Sequence, residues 1–143
     1  DYDEAVRRSK AENKPILIDF TGYACVNCRR MEENVWTSEE IKSIMTEKFI
    51  LVSLYVDDKK KLPAVKQFTY TTKEGIDKEI ISVGDKWATF ETENFKNNAQ
   101  PLYAILNGEE KLMNNPVGYT PNINEYKAWL LCGLEAFEKT SKK

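Results

Sequence analysis

Lys14-Pro15-Ile16-Leu17-Ile18-Asp19-Phe20-Thr21-Gly22-Tyr23-Ala24-Cys25-Val26-Asn27-Cys28 is the stretch that decides the fold. Residues 16–20 form a near-continuous apolar run, which predicts a central strand covered on both faces. Asp19 is its single charge. Residues 21–24 read as a loop, and a helix is predicted over 25–34. Two cysteines at C-x-x-C spacing therefore follow a buried strand and open a helix. Two intervening residues let the sulfurs meet across the first helical turn. The helix N-terminus offers unpaired N–H groups and a positive dipole end, both of which favour a thiolate. Cys25 at the helix mouth can attack or be attacked, while Cys28, one turn further in, is the more buried and resolves a mixed disulfide. This placement points to redox work. Half of a zinc site and an inert structural pair are the other readings of such a motif; zinc would need carboxylate ligands here.

Outward from this stretch, residues 3–12 read as an amphipathic helix with Asp3 as N-cap, ended by Asn13-Lys14-Pro15. A helix is predicted over 38–47, opened by Ser38, and a second buried strand over 49–56. Lys59-Lys60-Lys61 falls in a charged, solvated turn. Residues 68–72 and 79–83 suggest a hairpin around Lys73-Glu74-Gly75, and Trp87, Phe90 and Phe95 fit a helix near 85–96, with Trp87 in the core. Residues 102–106 form a strand, Asn107-Gly108 is a hairpin signal, and 111–113 are its partner. The best helix runs over 122–139, where Ile123, Tyr126, Leu130, Leu134 and Phe137 make a stripe at helical spacing. The order α-β-α-β-α-β-β-α predicts one α/β domain over 1–143, with helices on both faces of a mixed central sheet.

Composition narrows the chemistry. The 143 residues suit a single domain, and 41% hydrophobic with 31% charged residues is a globular balance. A net charge of -2 gives no electrostatic footprint for nucleic acid. The histidine count is zero, which removes Ser-His-Asp and Cys-His catalysis, His-ligated zinc and imidazole switching. Acid–base work falls to a perturbed carboxylate, Lys, Tyr or Cys. Three cysteines do not make a disulfide framework; Cys132, outside the C-x-x-C, is expected to pack as a small hydrophobe in the last helix. No apolar run approaches the ~20 residues of a membrane helix. The chain starts at Asp1 and not at Met, as a processed or excised piece does, so the lack of a targeting segment is uninformative about the parent.

The stretch 14–28, together with Gln100-Pro101-Leu102-Tyr103, resembles the thioredoxin family. The resemblance implies a thioredoxin fold in which Pro101 follows a cis peptide bond, faces the C-x-x-C and positions a partner chain, with residues 64–95 as an insertion before that strand. It implies no metal and no organic cofactor, because the Cys25–Cys28 pair carries the electrons. Ala24 stands where thioredoxins have Trp, and Val26-Asn27 replaces Gly-Pro. Val26, Glu32 and the run Asn98-Ala99-Gln100-Pro101 look more like the C-terminal domain of the transmembrane thiol:disulfide interchange reductases, the DsbD family. That likeness implies a monomeric periplasmic domain of an inner-membrane protein. Such a domain takes electrons from a membrane-embedded domain and passes them to periplasmic acceptor proteins. Tyr23, Val26, Asn27, Gln100 and Pro101 are then the partner-contacting residues, although Tyr23 reads equally well as a plain loop aromatic.

Asp19 lies six residues before Cys25 in an apolar run, so its pKa should be raised. By the resemblance it lies under the resolving cysteine and takes its proton. Glu32, four residues after Cys28, shares its helix face. Two anions near the pair are expected to make Cys25 a weak acid in the isolated domain. Three alternatives stand beside the membrane-coupled reductase: a free-standing periplasmic thioredoxin-like protein, a non-catalytic binding module on the same fold, and a zinc-binding module.

Overall fold

The computed structural model describes residues 1–141. Helices α1 (Tyr2–Glu12), α2 (Val26–Asn34), α3 (Glu39–Lys48), α4 (Val83–Phe95) and α5 (Ile123–Ser141) and strands β1 (Ile16–Thr21), β2 (Ile50–Tyr55), β3 (Phe68–Thr71), β4 (Asp77–Ile80) and β5 (Leu102–Leu106) follow in the order α1-β1-α2-α3-β2-β3-β4-α4-β5-α5. The central sheet has the order β2-β1-β5, with β2 parallel and β5 antiparallel to β1. Strand β1 is buried at all six positions, as its near-continuous apolar run predicts, and Asp19 and Thr21 are buried with it.

Alternation along β1 sorts the core. Ile16, Ile18 and Phe20 face a cluster with Tyr2 and Ala5 of α1, against which Trp87, Phe90 and Phe95 of α4 pack. Leu17 faces the opposite cluster with Met31 of α2, Ile41 and Met45 of α3, and Tyr126 and Leu130 of α5. The predicted stripe of α5 is thus the buried one, with Phe137 also buried. No helix among the described residues is long and apolar enough to cross a membrane.

Several local expectations change, including the second strand of the first hairpin, which runs over Asp77–Ile80 and not 79–83. The N-cap of α1 is Asp1 and not Asp3: the Asp1 side chain accepts from the N–H groups of Asp3 and Glu4, which leaves Asp3 in the first turn, where a carboxylate suits the dipole. The hairpin expected at 107–113 shrinks to an isolated bridge between Leu106 and Leu112, because Asn107 folds the chain back locally by accepting from the N–H groups of Glu109 and Lys111. Cys132 is exposed and not packed, since it falls on the side of α5 away from the Tyr126–Leu130 stripe.

The 64–95 insertion is structured. A 3-10 turn, Ala64–Lys66, leads into the β3–β4 hairpin, and α4 follows with a Ser82/Asp85 capping box that starts it two residues earlier than the aromatic pattern indicates. Trp87 is partly buried against Tyr2 and Phe90. The first turn of α4 approaches the turn after β2 so closely that a Cβ on Gly84 would stand 2.7 Å from the Val56 carbonyl oxygen and 2.8 Å from that of Asp58. Both obstacles are backbone. Gly84→Ala is expected to cost roughly 1–3 kcal/mol by forcing the two segments apart; a urea titration measures it, and an unchanged midpoint would contradict this packing.

Candidate functional site

Strand β1 delivers the chain to Thr21, and the loop Gly22–Ala24 turns it into α2. Cys25 is the N-cap of α2, with its sulfur accepting the Cys28 N–H at 3.2 Å. Cys25 and Cys28 form a disulfide, Cα–Cα 5.3 Å. Cys25 is partly exposed, while Cys28 is 1% exposed. The pair therefore has one reachable sulfur and one sheltered sulfur, the asymmetry the spacing predicts. In the reduced protein the same N-cap geometry offers the Cys25 sulfur a backbone donor and the positive end of the helix.

Asp19 lies on the same face of β1 as Leu17, which shares one buried cluster with Met31 of α2. Met31 and Cys28 are one turn apart on the buried side of that helix. The α2 face carrying Cys28 thus lies over the strand face carrying Asp19. Asp19 is 2% exposed and accepts a hydrogen bond from Ser53 Oγ at 2.9 Å across the β1–β2 ladder. Burial pushes its carboxyl up to about 7; the Ser53 bond and the Arg29 charge oppose this, and the Glu32 charge adds to it. Glu32 does not stand as a free anion: it pairs with Arg29 at 3.2 Å and is partly exposed. The two carboxylates expected near the cysteine pair are therefore joined by a guanidinium, which pairs with Glu32 and opposes its effect on Asp19.

Arg29 was not singled out in the sequence, and it organises the loop. Its NH2 group donates to Thr21 Oγ1 at 3.1 Å and to the Gly22 carbonyl at 2.9 Å. Asp57, in the turn after β2, was also missed. Its carboxylate accepts the N–H groups of Tyr23 at 2.9 Å and Ala24 at 3.2 Å. Desolvation works against its ionisation, but these N–H donors and Arg29 prevail and hold its pKa below the usual range. A charged side chain about thirty residues from the loop it holds leaves no mark at local spacing. Asp57→Ala is expected to cost about 1 kcal/mol. It should also speed amide hydrogen exchange at Tyr23 and Ala24; unchanged exchange at both would contradict the role.

Tyr23 is 62% exposed and stacks on Tyr55 with ring centroids 4.1 Å apart. Val26 is 63% exposed beside Cys25, and Asn27 accepts from Arg30. The Gln100–Pro101 peptide bond is cis. Because Phe20 of β1 pairs with Leu102 of β5, Pro101 lies at the same end of the sheet as the 22–25 loop. Tyr23, Val26 and Pro101 therefore share the sheet end that carries the disulfide.

A family model described as thioredoxin-like matches residues 1–108. The thiol:disulfide interchange protein DsbD of Ralstonia nicotianae is 31% identical over 51 residues, which are 36% of this chain and only 8% of that protein's length. A solved structure described as DsbH oxidoreductase aligns with 94% of this chain and 81% of its own at TM-score 0.63 and 21% identity. The oxidised C-terminal domain of Neisseria meningitidis DsbD aligns with 90% of this chain and 89% of its own at TM-score 0.56 and 13% identity. At these identities the structural likeness is one of fold.

Proposed function

The chain belongs to the thioredoxin-like family, and from that premise we propose that it is a protein-disulfide reductase working through the Cys25–Cys28 pair. The observation that carries the reading is the asymmetric pair at the α2 N-terminus, one sulfur reachable and the other 1% exposed. In the reduced protein the Cys25 thiolate attacks a sulfur of the partner's disulfide. A Cys25–partner bond forms, and the other partner sulfur leaves as a thiolate and takes up a proton. Asp19 accepts the Cys28 proton; the Cys28 thiolate then attacks Cys25 Sγ and expels the second partner sulfur. Two electrons pass to the partner, and the chain is left with its disulfide. Tyr23, Val26, Asn27 and the Gln100–Pro101 segment receive the partner, and Glu32 tunes the field at Asp19 through its pairing with Arg29.

The likeness to DsbD proteins extends the reading: the reducing equivalents come from a membrane-embedded dithiol, and the acceptors are periplasmic proteins. The direction of flow rests on the reduction potential. Equilibration with glutathione buffers is expected to place the pair near the thioredoxin range, about −270 mV. A value at or above about −180 mV, the range of an isomerase, would overturn the reductase direction.

A further inference from the structure

Glu91 is a second buried carboxylate, and nothing in the exchange steps uses it. It sits on α4, inside the insertion, and is 1% exposed. Its Oε1 accepts from Gln100 Nε2 at 3.0 Å, while its Oε2 is buried without a hydrogen-bond partner. Burial raises its pKa to about 7, and the Gln100 bond works in the other direction. An apolar residue would fill this position at lower cost, since a desolvated carboxyl with one partner is destabilising. Packing does not account for Glu91; its contact does.

That contact is with the residue preceding the cis proline. The second hydrogen of the Gln100 amide goes to the Asn98 carbonyl at 2.9 Å, so the side chain is clamped from two sides. Among the described residues, neither the N–H nor the C=O of Gln100 makes a backbone–backbone hydrogen bond. An unpaired peptide edge at the disulfide end of the sheet is available to an extended polypeptide. The clamp has a rigid base. Phe90 and Phe95 of α4 pack on the core beside Phe20. The start of α4 is fixed by Val83 N–H to the Lys60 carbonyl and Gly84 N–H to the Asp58 carbonyl, both 2.8 Å. Asp57, adjacent to Asp58, holds the loop before Cys25. Helix α4 thus braces both sides of the site.

We propose that Glu91 is a positioning residue: through Gln100 it holds the peptide edge before Pro101 in the conformation that receives an extended protein partner, and so makes the 64–95 insertion a determinant of protein over small-molecule disulfides. The inference rests on the reductase reading. It requires that loss of the clamp weaken protein binding and leave sulfur chemistry alone.

The test compares insulin, a protein disulfide, with 5,5′-dithiobis(2-nitrobenzoate), which is too small to pair along the edge. For Glu91→Leu the KM for insulin is expected to rise about tenfold, the size of one hydrogen bond to a charged group, while kcat and the small-disulfide rate stay within about twofold. Glu91→Gln keeps a neutral acceptor for Gln100 and should recover most of the loss, to within about threefold of the wild-type KM. Gln100→Leu breaks the same bond from its half-exposed end, carries the test if Glu91→Leu does not fold, and should add nothing to it in the double variant. An unchanged insulin KM in Gln100→Leu, equal losses on both substrates, or a Glu91→Gln no better than Glu91→Leu overturns the inference and leaves the reductase reading intact. A wild-type chain inactive on both substrates overturns that reading as well.

Discussion

Cys28→Ser is expected to convert the chain from a turnover catalyst into a single-step trap. The first attack needs only Cys25, whose N-cap position remains, so that step should keep within about tenfold of its wild-type rate. The second step has no nucleophile, and multiple turnover should fall below detection. The product is a partner joined to Cys25 through a disulfide that persists until a reductant is added. Residue 28 is 1% exposed, and Ser is close to Cys in size, so the fold should tolerate the change. Non-reducing electrophoresis with insulin as partner reads the adduct directly. Expressed in its host, the same variant should hold its natural partners, whose identities decide between membrane-coupled and free-standing action. Continued turnover by Cys28→Ser would mean that the sheltered sulfur does not resolve the intermediate.

Asp19→Asn should have opposite effects on rate and stability. The carboxyl rises from 3.8 to about 7 on folding, mainly through burial. Between those values the folded chain holds a proton that the unfolded chain has released. The stability tied to Asp19 therefore falls as pH rises through this window, and the full penalty stands above about pH 7. A shift of this size corresponds to at most about 4 kcal/mol. Asn cannot ionise, so Asp19→Asn is expected to gain roughly 2–4 kcal/mol at pH 8, or about 5–10 °C in Tm, and little at pH 4. The resolving step should slow by about 100-fold, since the base for Cys28 is gone. Thermal melts at the two pH values and single-turnover quenching check the two halves. Equal gains at both pH values would contradict a buried carboxyl that ionises near neutrality. An unchanged resolving rate would remove Asp19 from the proton path.

The frame of the molecule is legible in the chain because its strongest signals are local. Residues 16–20, 49–56 and 102–106 are runs of apolar residues broken only by Asp19 and Ser53, and they supply the three strands of the central sheet, of which β2 alternates buried and exposed positions. The stripe Tyr126-Leu130-Phe137 is continuous, and it is the buried side of α5. The register of that same stripe puts position 132 on the outside, where Cys132 lies exposed. Within the site, the Cys25–Cys28 disulfide and the cis bond before Pro101 match what the thioredoxin resemblance implies, and Asp19 is buried on β1 with Ser53 as its hydrogen-bond partner. The supports of the site did not show. Asp57 is 34 positions from the Tyr23 N–H it accepts, and no local spacing marks Glu91 as the partner of the Gln100 side chain. Arg29 sat in a run of charges that reads as solvated, yet it reaches back to Thr21 and Gly22. Such roles are created when the sheet brings distant segments to one end. A hydrophobic pattern reports which face is buried; it does not report which polar group will meet which across that face.

The central claim is that Cys25 carries the exchange. The direct measurement mixes the reduced chain with insulin, counts the insulin thiols released, and maps the cysteines of the chain by mass spectrometry. Wild-type protein is expected to release two thiols for each Cys25–Cys28 disulfide formed, with Cys132 left as a free thiol, and Cys25→Ser is expected to release none. Undiminished release by Cys25→Ser, or insulin joined to the exposed Cys132 in place of Cys25, would contradict the account.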